Sequence, residues 1–320
     1  SGNHQTGMEF DSPTGGTDTN AQINDNNFTV SLSETTDGGM TISSSFKLMD
    51  ENSGSGDIDA GFTLAFTDGS KLDLIAAGNA SGSHAVSVPG SAGAEGVATT
   101  TTNAAQTGLD FATASSTLGV EYHTAADFIA DGLKMSFSAS TDSGAANTAT
   151  YRVDSHLALG ATYVTDLGDS TLTLGGGISQ ADGSKTGATA VTNDTNGYHV
   201  GLSAVTGDLT VAVGFADGDE AGVGLSSANE ITADVMKAGV KYVSGDLTFN
   251  VGIASGDAQD NTIGGSGGSD DAKDVTSASV SYAVASGVTA ILGYTSLEAS
   301  DEGASTDDGS AWYIGANMAF

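Results

Sequence analysis

The sequence predicts an all-β chain: a sixteen-stranded antiparallel transmembrane β-barrel with short periplasmic turns and long external loops. Three observations carry that expectation. Apolar residues recur at every second position through most of the chain, the period of strands with one greasy face. Short Gly- and Asp-containing turns alternate strictly with long acidic stretches, which suits strands whose two ends meet different surroundings. The last ten residues, Ala311–Phe320, form one more alternating strand and stop on an aromatic residue.

Composition bounds the class. The 320 residues include 46 Gly, 2 Pro and no Cys, and 38% are apolar. No run approaches the ~18 apolar residues of a membrane helix. Eight Lys and Arg against 40 Asp and Glu give a formal net charge of −32, so no nucleic-acid partner is expected, because such a partner needs a basic footprint. Without cysteine there is no disulfide, thiolate metal site or Cys nucleophile. No signal peptide is visible at Ser1-Gly2-Asn3, so export would require earlier removal of one.

Taken in order, the strand segments pair into hairpins. Phe28–Thr35 and Met40–Leu48 flank Thr36-Asp37-Gly38-Gly39, and Ile58–Thr67 and Lys71–Gly78 flank Asp68-Gly69-Ser70. Thr117–Thr124 and Leu133–Thr141 flank a longer link, Ala125–Gly132. Four tighter hairpins turn at Leu167-Gly168-Asp169, Thr206-Gly207-Asp208, Ser244-Gly245-Asp246 and Ala285-Ser286-Gly287, tight connections of the hairpin kind. The stretches 142–154, 180–196, 218–233, 256–274 and 298–310 read as the long external connections. These segments and the closing strand make fifteen. A bacterial barrel has an even number, and Asn3–Phe10 supplies the sixteenth. The whole of 1–320 is thus one barrel domain.

One face collects Leu118/Val120/Tyr122, Leu157/Leu159/Ala161/Tyr163, Leu209/Val211/Val213/Phe215, Met236/Ala238/Val240/Tyr242 and Leu247/Phe249/Val251/Ile253. A soluble sandwich would show the same alternation with its apolar face turned inward. Tyr122, Tyr163, Tyr242 and Tyr282 favour the barrel, because each lies on the apolar face a few residues from a short turn, as an interfacial girdle requires. The polar face is Ser, Thr, Gly and Ala, with Glu121, Lys134, His156, His199, Lys237 and Lys241 among them.

Residues 79–115 form the longest connection, and their small polar composition also suits a disordered linker. The Gly-Asp and Ser-Gly turns, the ending Trp312-Tyr-Ile-Gly-Ala-Asn-Met-Ala-Phe320 and the strand count resemble the general diffusion porins of Gram-negative outer membranes, most closely the Gly- and Asp-rich alphaproteobacterial type. That resemblance implies passive diffusion of small hydrophilic solutes and ions, a homotrimer in the outer membrane, and a pore narrowed by 79–115 folding inward. It also implies acids on the inward loop, here Glu95 and Asp110, facing basic residues on the wall. Lys47, Lys134, Lys237 and Lys241 are the available cations; the arginine cluster of many porins is missing. The acidic excess suggests weak cation selectivity.

Other chemistry is thin. The five histidines never take a metal-ligand spacing, no GxSxG elbow occurs, and Asn261–Ser269 does not follow a strand and open a helix. No enzyme is expected. No cofactor is required, although Asp217, Asp219, Glu220, Asp257, Asp260, Asp270 and Asp271 offer hard oxygens in acidic stretches, as Ca²⁺ or Mg²⁺ prefers. Such ions would bridge external loops to anionic lipopolysaccharide. An acidic, β-rich surface-layer or adhesin protein binding divalent cations is the alternative reading.

Overall fold

The computed structural model describes residues 1–14, 16–50, 61–75, 79–90, 118–141, 152–185, 191–221, 229–262, 270–301 and 308–320. Sixteen antiparallel strands close into one barrel in chain order, and the first pairs with the last. They are β1 (Gly2–Pro13), β2 (Thr19–Thr35), β3 (Thr41–Asp50), β4 (Phe62–Ala65), β5 (Lys71–Leu74), β6 (Leu118–His123), β7 (Leu133–Thr141) and β8 (Arg152–Leu167). There follow β9 (Ser170–Lys185), β10 (Val191–Thr206), β11 (Leu209–Ala221), β12 (Asn229–Ser244), β13 (Leu247–Thr262), β14 (Asp270–Ala285), β15 (Val288–Asp301) and β16 (Gly309–Ala319). Among the described residues the one helical piece is a 3-10 turn, Gly82–His84.

Turn chemistry accounts for the hairpins. Among the described residues, the glycines with positive φ, Gly39, Gly69, Gly132, Gly168, Gly207, Gly245 and Gly287, all lie in short connections at one end of the barrel. At Gly168-Asp169 only the first residue has positive φ, the II′ geometry whose twist matches that of the flanking strands. In the β4–β5 turn, Ser70 donates from Oγ at 2.7 Å and from its N–H at 2.9 Å to Asp68 Oδ1. Those two bonds, the hydroxyl first, hold the Asp68 carboxyl below its usual range.

The expected strand set is present, with one correction. Six of the last nine strands run 16 residues, ~50 Å of chain at ~3.3 Å per residue, whereas a bilayer core is ~30 Å thick. Much of what reads as long loop is therefore polar sheet. Asp217, Asp219 and Glu220 end β11, Asp257 and Asp260 end β13, and Asp270 and Asp271 open β14. Pairing continues past the apolar band because the neighbouring strand is still alongside, and a ladder needs backbone partners rather than apolar side chains. Conversely, β4 and β5 have only 4 residues each; the remaining parts of the expected Ile58–Thr67 and Lys71–Gly78 fall largely on or beside undescribed residues.

The two faces differ as expected. Leu157 is 61% exposed, Ile314 55% and Phe137 47%, and the same outward row includes Val120, Val213, Phe249 and Val251. An exterior of this kind is untenable in water and natural in lipid. Tyr122, Tyr163, Tyr242 and Tyr282 point outward near the short turns. Toward the other end lie Tyr198 with Phe215, ring centroids 6.1 Å apart, and Tyr294 with Trp312, 4.6 Å apart. The inward face is polar: Gln5, Glu9, Glu121, Ser136, Ser138, Ser179, His199, Asn250 and Ser279 are buried.

One inward aromatic packs against the seam. Tyr313 on β16 is completely buried and lies over the directly paired Gly7 and Gly315. A Cβ on Gly7 would come within 2.5 Å of its ring, and one on Gly315 within 2.3 Å of its hydroxyl. Gln5 Nε2 donates to the Tyr313 hydroxyl at 3.2 Å. The seam is completed by reciprocal bonds between Gly2 and Phe320, at 2.8 and 3.0 Å.

Candidate functional site

The site is the lumen at the level where residues 79–90 enter it. Register places His123 (β6), Ser136 (β7), Gly160 (β8), Gly177 (β9) and His199 (β10) in one cross-strand row. Their side chains share the inward face, since the alternate residues Tyr122, Phe137, Leu159, Ile178 and Tyr198 belong to the outward row. The chain from Ala80 to Gly90 lies on this wall. A Cβ on Gly160 would fall 2.2 Å from the Ala80 carbonyl, on Gly175 2.4 Å from the His84 carbonyl, and on Gly177 2.6 Å from Ser81 Cα. Further along, Gly201 faces Val86, and a Cβ on Gly239 would fall 1.8 Å from the Pro89 carbonyl. Wall glycines from β8 to β13 thus form a track that admits backbone against backbone, the close approach that glycine alone permits.

Hydrogen bonds fix the segment to the wall. Ala80 N–H donates to Ser138 Oγ at 2.9 Å, Ser83 Oγ donates to Glu121 Oε1 at 2.6 Å, and His199 Nε2 donates to the Ser81 carbonyl at 2.9 Å. At the centre, His84 Nδ1 is 2.6 Å from Thr162 Oγ1 and Nε2 is 2.7 Å from Ser136 Oγ. Ser136 Oγ is 2.7 Å from His123 Nδ1, and His123 Nε2 is 2.9 Å from Asp73 Oδ2. The carboxylate sets the direction of this chain, because an ionised acid only accepts. Neutral His123 therefore carries its proton on Nε2 and accepts from the Ser136 hydroxyl. Ser136 then accepts from His84 Nε2–H, and His84 Nδ1 accepts from the Thr162 hydroxyl. Asp73 also takes the Lys71 ammonium at 3.1 Å and a bond from Thr63.

Asp73, His123 and Ser136 are the residue types of a hydrolytic triad, and in hydrogen-bonding order. Chemistry needs an open nucleophile, however. Ser136 is fully buried, with His84 bonded to its hydroxyl. The arrangement anchors the loop. Beside it a cavity of about 600 Å³ opens along β2–β6, lined by Ser31, Ser33, Ser43, Ser45, Thr63, Lys71, Asp73, Glu121, His123 and the loop's Ser83.

The sequence-predicted residues are distributed as follows. Glu121 is buried at the loop anchor, on the inward face. Lys47, Lys134, Lys237 and Lys241 share the inward parity of their strands, with Gly239 between the last two and against Pro89. Lys134 neighbours His84, whereas Lys237 and Lys241 stand on β12 near the far end of the described loop. Glu95 and Asp110 lie outside the described residues, as does the loop beyond 90. Of the expected metal ligands, Asp217 pairs with Asp234, which pairs with Asp257. These three occupy the outward parity of β11–β13, above Phe215, Met236 and Ile253. The side chains of Asp219, Glu220, Asp260, Asp270 and Asp271 lie outside the described set. Among the described residues, no three His, Asp or Glu converge to hold a metal ion.

Sequence reasoning missed Lys71, Asp73 and the roles of His84, His123 and His199. Alternation puts Lys71 and Asp73 on one inward face. Their meeting with His123 needed the β5–β6 register, in which Lys71 pairs with His123 and Asp73 with Glu121.

A closed sixteen-stranded barrel with an apolar exterior, a polar interior and an inward segment after β5 is a barrel of the porin type. No protein-family model matches the chain, and no curated protein matches it in sequence. Solved structures do match in fold. OmpT of Vibrio cholerae in its trimer form superposes with TM-score 0.65 at 17% identity, covering 99% of this chain and 98% of that one. An anion-selective porin from Comamonas acidovorans gives 0.65 at 12% identity, covering 100% and 99%. A Rh. blastica porin gives 0.54 at 15% identity, covering 100% and 98%.

Proposed function

We propose that this chain is an outer-membrane porin of a Gram-negative bacterium, through which small hydrophilic solutes and ions diffuse passively. The observation that carries the reading is the pairing of a lipid-suited exterior with a Ser-, Gly- and Thr-lined lumen whose wall is occupied by the segment following β5. In this reading 79–115 narrows the pore, and fixed charge on the wall biases the traffic. Homotrimer assembly is part of the proposal, supported by the full-length likeness to OmpT in its trimer form. The alternative, an acidic surface-layer or adhesin protein in water, would have to leave the row of Leu157, Phe137 and Ile314 wet, at a cost of roughly 25 cal/mol per Å² of apolar area. Ca²⁺ or Mg²⁺ between the rim carboxylates and anionic lipid is a subsidiary proposal, supported by the outward alignment of Asp217, Asp234 and Asp257.

Selectivity follows from where charge sits. In the described lumen Glu9, Asp11, Asp73 and Glu121 share the wall with Lys47, Lys71, Lys134, Lys237 and Lys241, so the two signs nearly balance there. The chain as a whole carries a net charge of −32, and described rim acids such as Asp217, Asp234 and Asp257 would concentrate cations over roughly a Debye length, ~10 Å at 0.1 M salt. The channel should be weakly cation-selective in a KCl gradient across a planar bilayer, and the preference should shrink as salt rises. Lys237→Glu should increase it. A reversal potential showing anion preference at low salt would contradict this and assign control to the wall lysines.

A further inference from the structure

Four of the five histidines in the chain, His84, His123, His156 and His199, gather in one sector of the lumen. Three of them belong to the row on which the loop rests. His123 stands at one end on β6, His199 at the other on β10, and His84 comes down from the loop between them over Gly160. Resting on the pore reading, we infer that this row is a proton-operated latch: with neutral imidazoles it clasps residues 80–86 to the wall, and on acidification it lets the loop move into the lumen.

The tautomers make the clasp conditional. The chain Thr162–His84–Ser136–His123–Asp73 is satisfied when each imidazole has one N–H and one bare nitrogen. A second proton on His84 would leave Nδ1–H facing the Thr162 hydroxyl, which must turn, and would put a cation in a buried, glycine-floored seat. That cation would also face the Lys134 ammonium on β7, and like charges repel strongly where water is excluded.

The charged surroundings of His84 do not cancel that effect. From β6 it faces His123 and Glu121, from β7 Lys134, and from β10 His199. Lys71 and Asp73 on β5 act through His123, and His156 on β8 belongs to the same sector. The described inward face of β9 presents no titratable group, and Lys237 and Lys241 on β12 stand by the Pro89 end. One carboxylate, Glu121, favours the cation, against two histidines and a lysine. Burial first, then His123, holds the His84 imidazole below its ordinary range in the docked state. The sign follows: the undocked loop takes up protons more readily, so docking weakens as pH falls through the ordinary imidazole range near ~6.5 and levels off below the docked value. Neutral pH therefore keeps the latch shut against the wall and the lumen open.

The test is single-channel recording of the whole protein in planar bilayers, first at about pH 7.5 and then at about pH 4.5, spanning the imidazole range. Wild type should show a reversible, severalfold fall in conductance or frequent closures at the lower pH. His84→Gln, which keeps a donor and an acceptor but cannot titrate, should lose that response, whereas His4→Gln on β1, outside the latch, should retain it. In an Ala80→Cys/Ser138→Cys pair, oxidised molecules should ignore acid and reduced ones should respond. Conductance at the higher pH that is unchanged at the lower, or an acid response that survives His84→Gln or the oxidised clamp, would overturn the latch. Failure of every form to conduct at the higher pH would instead overturn the pore reading.

Discussion

Replacing Gly160 with valine should lift the inner loop off the wall and roughly halve the single-channel conductance, because the displaced backbone enters the water-filled section that carries current. The barrel itself should form normally. Valine is well suited to a strand, and the outward neighbours Leu159 and Ala161 are untouched. The conflict is purely with the loop: a Cβ there would fall 2.2 Å from the Ala80 carbonyl and 2.5 Å from His84 Cδ2. A backbone carbonyl cannot yield as a side-chain tip can, so the whole 3-10 turn must move. Gly168→Val, in a turn where nothing lies within 4 Å, is the control; positive φ there makes it a folding defect without a lumen effect. Unchanged conductance in folded Gly160→Val would mean that the loop does not govern the passage.

The second large effect is at the seam. Tyr313→Ala should cost about 3–5 kcal/mol, the range for removing a large aromatic from a packed site, and should lower the temperature at which the folded form is lost in detergent. The ring fills the floor left by Gly7 and Gly315, accepts from Gln5 and buries completely. Its loss opens a hole where the first strand meets the last, the one pairing between strands that are not consecutive in the chain. Tyr313→Phe keeps the packing and loses the bonds to Gln5 and to the Thr6 carbonyl, each worth ~1 kcal/mol. Equal stability of Tyr313→Ala and wild type would show that strand pairing alone closes the barrel.

Much of the fold was legible in the sequence, because a barrel strand is read locally. Val211, Val213 and Phe215 alternating with Thr210, Ala212 and Gly214 announce a two-faced strand, and Gly207-Asp208 announces its turn, before any partner is known. The height of the sheet was not legible. Above the apolar band Asp217 or Asp257 suits a loop as well as a polar strand, and only pairing with Asp234 between them distinguishes the two. The loop seat was the least visible. Gly160, Gly177 and Gly201 are unremarkable one by one among 46 glycines. They become a track only when the register brings Gly160 beside Gly177 and Gly201 beside Gly175. His84 and Asp73 were hidden for the same reason: the sequence separates His84 from Ser136 by 52 residues and His123 from Asp73 by 50.

The most direct measurement is the current itself. Protein purified in detergent, shown to be folded by heat-modifiable migration, should insert into a planar bilayer and give discrete, ohmic steps, as an aqueous lumen within a closed barrel requires. Folded protein that inserts without conducting would contradict the account.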